Sequence, residues 1–165
     1  MKNLTATALA LLLILGMTSC SQEKVAPGIY APNEALVSNS EDELRKTIAS
    51  AIHEDEQQVA IKSIDFLDVK KGFIAEVDIT TYGIAHTIYY ISNDLNADVE
   101  VDSSVELVTG PANSARMGIV AYCSCGLGSF PSSECRVSIT HNPNGTITGT
   151  CFKEGCMNGC VYHQE

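Results

Sequence analysis

Two spacings of apolar residues organise the chain. Leu44, Ile48, Ala51 and Ile52 fall at i, i+4, i+7 and i+8, one face of a helix. Ser40 stands three residues before Glu43, the capping-box pattern, and Glu41, Asp42 and Glu43 put negative charge where a helix dipole favours it. The pattern predicts a helix over residues 41–54. Beyond it the period becomes two. Ile64 and Phe66 alternate with polar neighbours; Phe73, Ala75, Val77 and Ile79 then alternate with Ile74, Glu76, Asp78 and Thr80. One face of that strand is apolar and the other largely acidic. Lys70-Lys71-Gly72 and Tyr82-Gly83 read as turns, residues 84–91 as a third strand, and Val99, Val101, Val105 and Leu107 as a fourth. The expected fold class is α+β: one N-terminal helix packed on an antiparallel β-meander, followed by a cysteine-rich β-hairpin tail.

The tail carries its own pattern. Residues 117–125 read as a strand, and residues 135–139 and 147–151 flank His141-Asn142-Pro143-Asn144-Gly145, a hairpin loop with an Asn-Gly signal. That loop sets Ile139 opposite Ile147 and Cys135 opposite Cys151. Residues 21–39, with two prolines, a glycine and no sustained period, read as a tether.

Charge and cysteine content sharpen the division. The chain has 165 residues, with 20 Asp+Glu against 10 Lys+Arg. Such acidity argues against a nucleic-acid partner, which clustered Lys and Arg would bind. No apolar run approaches the ~20 residues of a membrane span. Residues 20–110 hold 17 acidic and 6 basic side chains, residues 111–165 three of each, and six of the seven cysteines follow residue 122. The expected organisation is a leader at 1–19, an anchor and tether at 20–39, an acidic α+β region at 40–110 and a cysteine-rich region at 111–165.

At the start, Met1-Lys2-Asn3 is positive, residues 8–17 are almost wholly apolar, and Met17-Thr18-Ser19-Cys20 follows. An apolar stretch of ~7–15 residues ending in small residues is the logic of a secretory signal. With its cysteine, this segment resembles the lipobox of a bacterial prolipoprotein. The resemblance covers residues 1–20 and implies cleavage after Ser19, a diacylglyceryl thioether on Cys20 and an acylated amino terminus carrying a chain such as palmitate. Each buried methylene contributes ~0.8 kcal/mol, and two or more chains hold a protein stably on a membrane. Ser21 follows the cysteine, where an Asp would favour inner-membrane retention, so the outer membrane of the cell envelope is the expected destination.

Cys123, Cys125, Cys135, Cys151, Cys156 and Cys160 are even in number, and an exported chain meets oxidising conditions, so three disulfides are expected. Cys123 and Cys125 share a strand face ~6.5 Å apart, too poorly converging to pair with each other. Cys135–Cys151 is the favoured bridge, leaving Cys123 and Cys125 to take Cys156 and Cys160. The competing reading is a thiolate site for zinc or copper built from Cys123, Cys125, Cys151, Cys156, Cys160 and His163, with His141 and Met157 nearby, or a redox protein. Cys151, Cys156 and Cys160 approach a ferredoxin run but miss its last spacing by one residue, and no C-x-x-C is present.

Weaker patterns read as structure. Asp94-Leu95-Asn96-Ala97-Asp98 opens like a calcium loop, but Val99 and Val105 stand where a glycine and a bidentate glutamate belong. His53-Glu54 lacks a second histidine, His86 reads as a strand residue, Gly126-Leu127-Gly128-Ser129 as a loop, and Asn144-Gly145-Thr146 as a turn rather than a glycosylation site. No catalytic residue and no cofactor is expected. The sequence therefore points to an acylated envelope lipoprotein acting as a non-enzymatic binding or interaction module for an unidentified protein or small ligand, anchored to the membrane by lipid.

Overall fold

A computed structural model describes residues 27–95, 99–101, 106–109, 118–126, 130–157 and 159–165. Among the described residues are eleven strands and one α-helix: β1 (Ile29–Tyr30), β2 (Leu36–Ser38), α1 (Glu41–Ala51), β3 (Val59–Leu67), β4 (Ile74–Thr81), β5 (Ile84–Ser92), β6 (Val99–Val101), β7 (Glu106–Thr109), β8 (Gly118–Cys125), β9 (Cys135–His141), β10 (Ile147–Lys153) and β11 (Cys160–Gln164).

Ser40 starts the helix as its pattern predicts, its hydroxyl accepting the Glu43 N–H at 3.1 Å. The helix stops at Ala51, three residues short of expectation. His53 adopts a left-handed φ of 56°, and Glu54 N–H bonds Ala49 O at 2.9 Å, a Schellman closure with histidine in the usual glycine position.

The six-stranded central sheet runs β3-β4-β5-β8-β11-β7. Its pairs are antiparallel except β11 with β7. Thr81 pairs with Ile84 across Tyr82 and Gly83, both at positive φ (50° and 80°), the two-residue turn that matches strand twist. A smaller sheet runs β6-β10-β9. The expected single strand through Val99 and Leu107 is two short strands, one in each sheet, because β6 pairs with β10 and β7 with β11.

Alternation gives the central sheet two buried faces. Ala75, Val77, Ile79, Ile88, Tyr90, Val120 and Tyr122 meet Leu44 and Ile48 of α1 and Ile52 at its C-cap. Ile74, Tyr89, Ile91, Ala121, Cys123 and Tyr162 meet Val137, Ile139 and Ile147 of the small sheet. The arrangement is therefore helix, sheet, sheet. Residues of the acidic stretch and of the cysteine-rich stretch share one sheet, since β5 pairs with β8. Gly149 explains itself here: a Cβ on it would lie 2.5 Å from the Tyr162 ring.

Residues 29–38, expected within the tether, fold instead. β1 and β2 form a hairpin that buries Ala31 and Val37 against the helix-side core. Asn33 Nδ2 holds it to the β3–β4 turn through Val69 O (3.0 Å) and Gly72 O (2.9 Å). These partners lie far along the chain, which is why no local period announced the hairpin.

Three disulfides form, Cys123–Cys151, Cys125–Cys156 and Cys135–Cys160, with Cα separations of 5.9, 5.5 and 5.8 Å. Cys123–Cys151 and Cys135–Cys160 join the two sheets, and Cys125–Cys156 ties β8 to the β10–β11 connection. The expected Cys135–Cys151 bridge is not formed. The five-residue loop is 142–146, closed by Asn142 N–H to Thr146 O at 2.8 Å, so His141 rather than Ile139 pairs with Ile147. That slip sets Cys135 opposite Lys153 and Cys151 opposite Val137. Both sulfurs face the central sheet and bond downward to β8 and β11 rather than to each other. Cys125–Cys156 falls within the expected partners; Cys123 does not.

Candidate functional site

The small sheet covers only part of the second face. Beside the edge of β9, the floor of β4 and β5 stays open as a groove, with adjoining cavities of about 810 and 370 Å³ that share Asp78, Thr87, Arg136 and Glu154. Strand alternation decides what lies on the floor. Glu76 and Asp78 take the parity of Ile74, and their direct cross-strand neighbours are Tyr89 and Thr87.

Each floor carboxylate is half-buried and held by neutral donors. Asp78 accepts from Ser63 Oγ at 3.0 Å and from Thr87 Oγ1 at 2.7 Å. Glu76 accepts from the Tyr89 hydroxyl. Burial, and then the Glu76 carboxylate, push the Tyr89 phenol above its ordinary range, so it remains a donor at any physiological pH. On the rim, Arg136 Nε meets Glu154 Oε1 at 3.4 Å, an exposed pair of modest value. The floor can thus offer fixed negative charge to a ligand, with hydroxyls that orient the carboxylates.

The thiolate set does not assemble. All six tail cysteines are in bridges, and a bridged sulfur is not a thiolate ligand. Cys135, Cys156 and Cys160 sulfurs do lie within 4.8 Å of one another, where two bridges pass side by side. His163 is on the other side of the sheet. It pairs with Tyr122, stacks on that ring at 4.7 Å, and brings Nε2 to 2.7 Å from Ser124 Oγ.

Ser124 and His163, 39 residues apart, form a serine–histidine contact that no spacing could announce. Ser124 is fully buried, with its Oγ 3.1 Å from Gly126 O. Which of Ser124 Oγ and His163 Nε2 donates follows from the imidazole tautomer, with Gly126 O the hydroxyl's other neighbour. The pair ties β8 to β11.

The remaining expectations separate in space. Cys20, Asn96, Ala97 and Asp98 lie outside the described residues, as do Leu127, Gly128 and Ser129. Asp94 is exposed and its N–H bonds Ser92 Oγ at 3.2 Å. His53 Nε2 stands 4.0 Å from Glu165 Oε1. His86 is packed on the helix side opposite Ile79; its Nδ1 is buried without a partner, and desolvation lowers its pKa, opposed by Glu54. His141 ends β9, and Met157 is exposed. The groove residues Thr87, Tyr89 and Arg136 drew no attention in the sequence. The available signal was parity: Thr87 and Tyr89 alternate in step with Glu76 and Asp78 once the Tyr82-Gly83 turn is accepted. No protein-family model, curated protein or solved structure matches the chain.

Proposed function

We propose that the protein is an acylated lipoprotein of the bacterial envelope, anchored through Cys20, whose folded part is a non-enzymatic binding module that presents the groove between its two sheets. The carrying observation is the construction of that groove. Its floor carboxylates are oriented by Ser63, Thr87 and Tyr89, and its wall is β9, secured to the central sheet by Cys135–Cys160. A site held in place before its ligand arrives loses less freedom on binding. Three disulfides also support an exported chain, because such bonds persist in oxidising compartments. The signal-like segment at residues 1–20 supports the same destination.

Site-specific photocrosslinking in whole cells tests the reading. Benzoylphenylalanine in place of Ser138, on the groove wall, is expected to give a discrete adduct; in place of Lys46, on the exposed face of α1, it is expected to give none. Globomycin is expected to accumulate the precursor. Equal adducts at both positions, or none at Ser138, would contradict the module. Four or more free thiols with stoichiometric metal would favour the thiolate reading, which draws its support from the neighbouring sulfurs of Cys135, Cys156 and Cys160.

A further inference from the structure

The groove is bounded by an open strand edge. Among the described residues β9 pairs with β10 and with no other strand. In an antiparallel ladder, the N–H and C=O of alternate residues point away from the partner strand. Two contacts identify that outward set in β9. Glu154 N–H bonds Glu134 O at 2.9 Å and Asn142 N–H bonds Thr146 O at 2.8 Å, so the even-numbered residues of β9 face β10 and the odd-numbered ones, Cys135 and Ile139 included, face away. Residues of the same parity therefore face the groove, and Val137, midway between those two, presents its N–H and C=O there.

The other long edge is defended. β3 carries a register break between Ile61 and Ser63, with exposed Lys62 beside it, the devices that discourage strand addition. The β9 edge has instead a recess beside it, floored by Glu76 and Asp78.

We propose that β9 accepts an extended peptide segment as an added strand, whose alternate side chains are cationic and sit over Glu76 and Asp78. The proposal rests on the binding-module reading and names its partner class. Main-chain hydrogen bonds to the edge supply affinity, and the floor supplies choice of side chain, the division of labour in β-augmentation. Charge complementarity selects the occupant. The larger cavity sets Glu76, Asp78 and Glu154 against Arg136 and Lys153, an excess of one negative charge, and the two floor carboxylates are themselves held by neutral hydroxyls while Arg136 is paired with Glu154. A second copy of this chain is a poor occupant, since with 20 acidic against 10 basic residues it carries the wrong sign. A bare cation would leave the backbone groups of Val137 unused.

The test uses the mature, disulfide-intact chain and an eight-residue peptide alternating Lys and Val, followed by fluorescence anisotropy. Three ligand controls accompany it: the same peptide N-methylated at the amides on one edge, the peptide with Glu for Lys, and spermine. The parent peptide is expected to bind. N-methylation on the edge facing β9 should weaken it roughly tenfold, the loss of one or two backbone hydrogen bonds. Asp78→Asn with Glu76→Gln should weaken it by a similar factor, and raised salt should weaken it further. The Glu peptide should not bind. N-methylation cannot perturb the protein, so the strand mode stays falsifiable even if the double variant folds poorly. Undiminished binding after N-methylation of either edge, or spermine binding as tightly as the peptide, would overturn strand addition. So would a dimer of the chain that the double variant dissociates. Failure of every peptide while the Ser138 photoadduct persists would overturn this partner class and leave the module standing; loss of both would remove the module as well.

Discussion

On one side of the central sheet, α1 and its C-cap lay Leu44, Ile48 and Ile52 over Val77, Ile79 and Ile88, all fully buried. Burying each of the larger aliphatics contributes about 1.5–3 kcal/mol, and an eleven-residue amphipathic helix brings several at once. On the other side, the covering layer is three strands of three, seven and seven residues. It brings Val137, Ile139 and Ile147, a glycine over Tyr162, and cysteines where more aliphatics would otherwise be. Three short strands with so few aliphatics cannot match a helix in apolar area. Sulfur makes up the difference, with two bridges spanning from one sheet to the other and the third tying β8 to the β10–β11 connection. The lesson is that a sheet can be covered partially and still be covered firmly. Partial cover leaves the floor of the groove exposed, and firm cover keeps its wall in place.

Breaking the bridges should separate the two sides most. Each closes a loop of 25–31 residues, worth about 3–4 kcal/mol if it acts on the unfolded chain. Under reductant, amide exchange is expected to accelerate first in β9 and β10, while β4 and the first half of β5 stay protected by the helix-side core. Uniform loss of protection would show that the two sides are one cooperative unit.

Removing a helix-side anchor comes next. Ile48→Ala, at a fully buried position, should cost about 2–5 kcal/mol in urea unfolding with bridges intact. Gly149→Ala probes the stapled side from the opposite direction, by overfilling it. Its Cβ would meet the Tyr162 ring and hydroxyl at 2.5–2.8 Å, so a loss of about 1–3 kcal/mol is expected. The ring has little room to retreat, being fully buried between the sheets.

The smallest effect is a pH slope that belongs to the helix side. His86 has a folded pKa below its ordinary 6.5, because burial disfavours its charged form. Between the folded value and 6.5 the unfolded chain holds more protons, so stability falls as pH drops through that window. Its contribution is complete above 6.5. Comparing urea midpoints at pH 7.5 and 5.5, His86→Gln should show a shallower fall than the parent chain. An equal fall would place the titration on other groups.

What the sequence disclosed follows from the range of the forces involved. Helix α1 and the β3–β5 meander were legible because periodicity, Ser40 and the turn at Tyr82-Gly83 act within a few residues. The β1–β2 hairpin was not, since Asn33 finds its partners 36 and 39 residues away. The bridge pattern was lost on one loop residue: with the loop at 142–146 in place of 141–145, every opposition in β9 and β10 shifts. The acidic face of β4 was visible, but its conversion from a solvated surface into a groove floor depends on where β9 lies over β5. That placement is stacking between sheets, for which a single sequence carries no period.

Non-reducing proteolysis of the mature chain, followed by mass spectrometry of the linked peptides, addresses the claim that sulfur closes the second face and fixes the groove wall. The account predicts Cys123–Cys151, Cys125–Cys156 and Cys135–Cys160 as the linked pairs, with no alkylatable thiol after Cys20. A Cys135–Cys151 peptide, which would join β9 to β10 and leave the small sheet without that tie to the central one, would contradict it, as would free thiols in the folded protein.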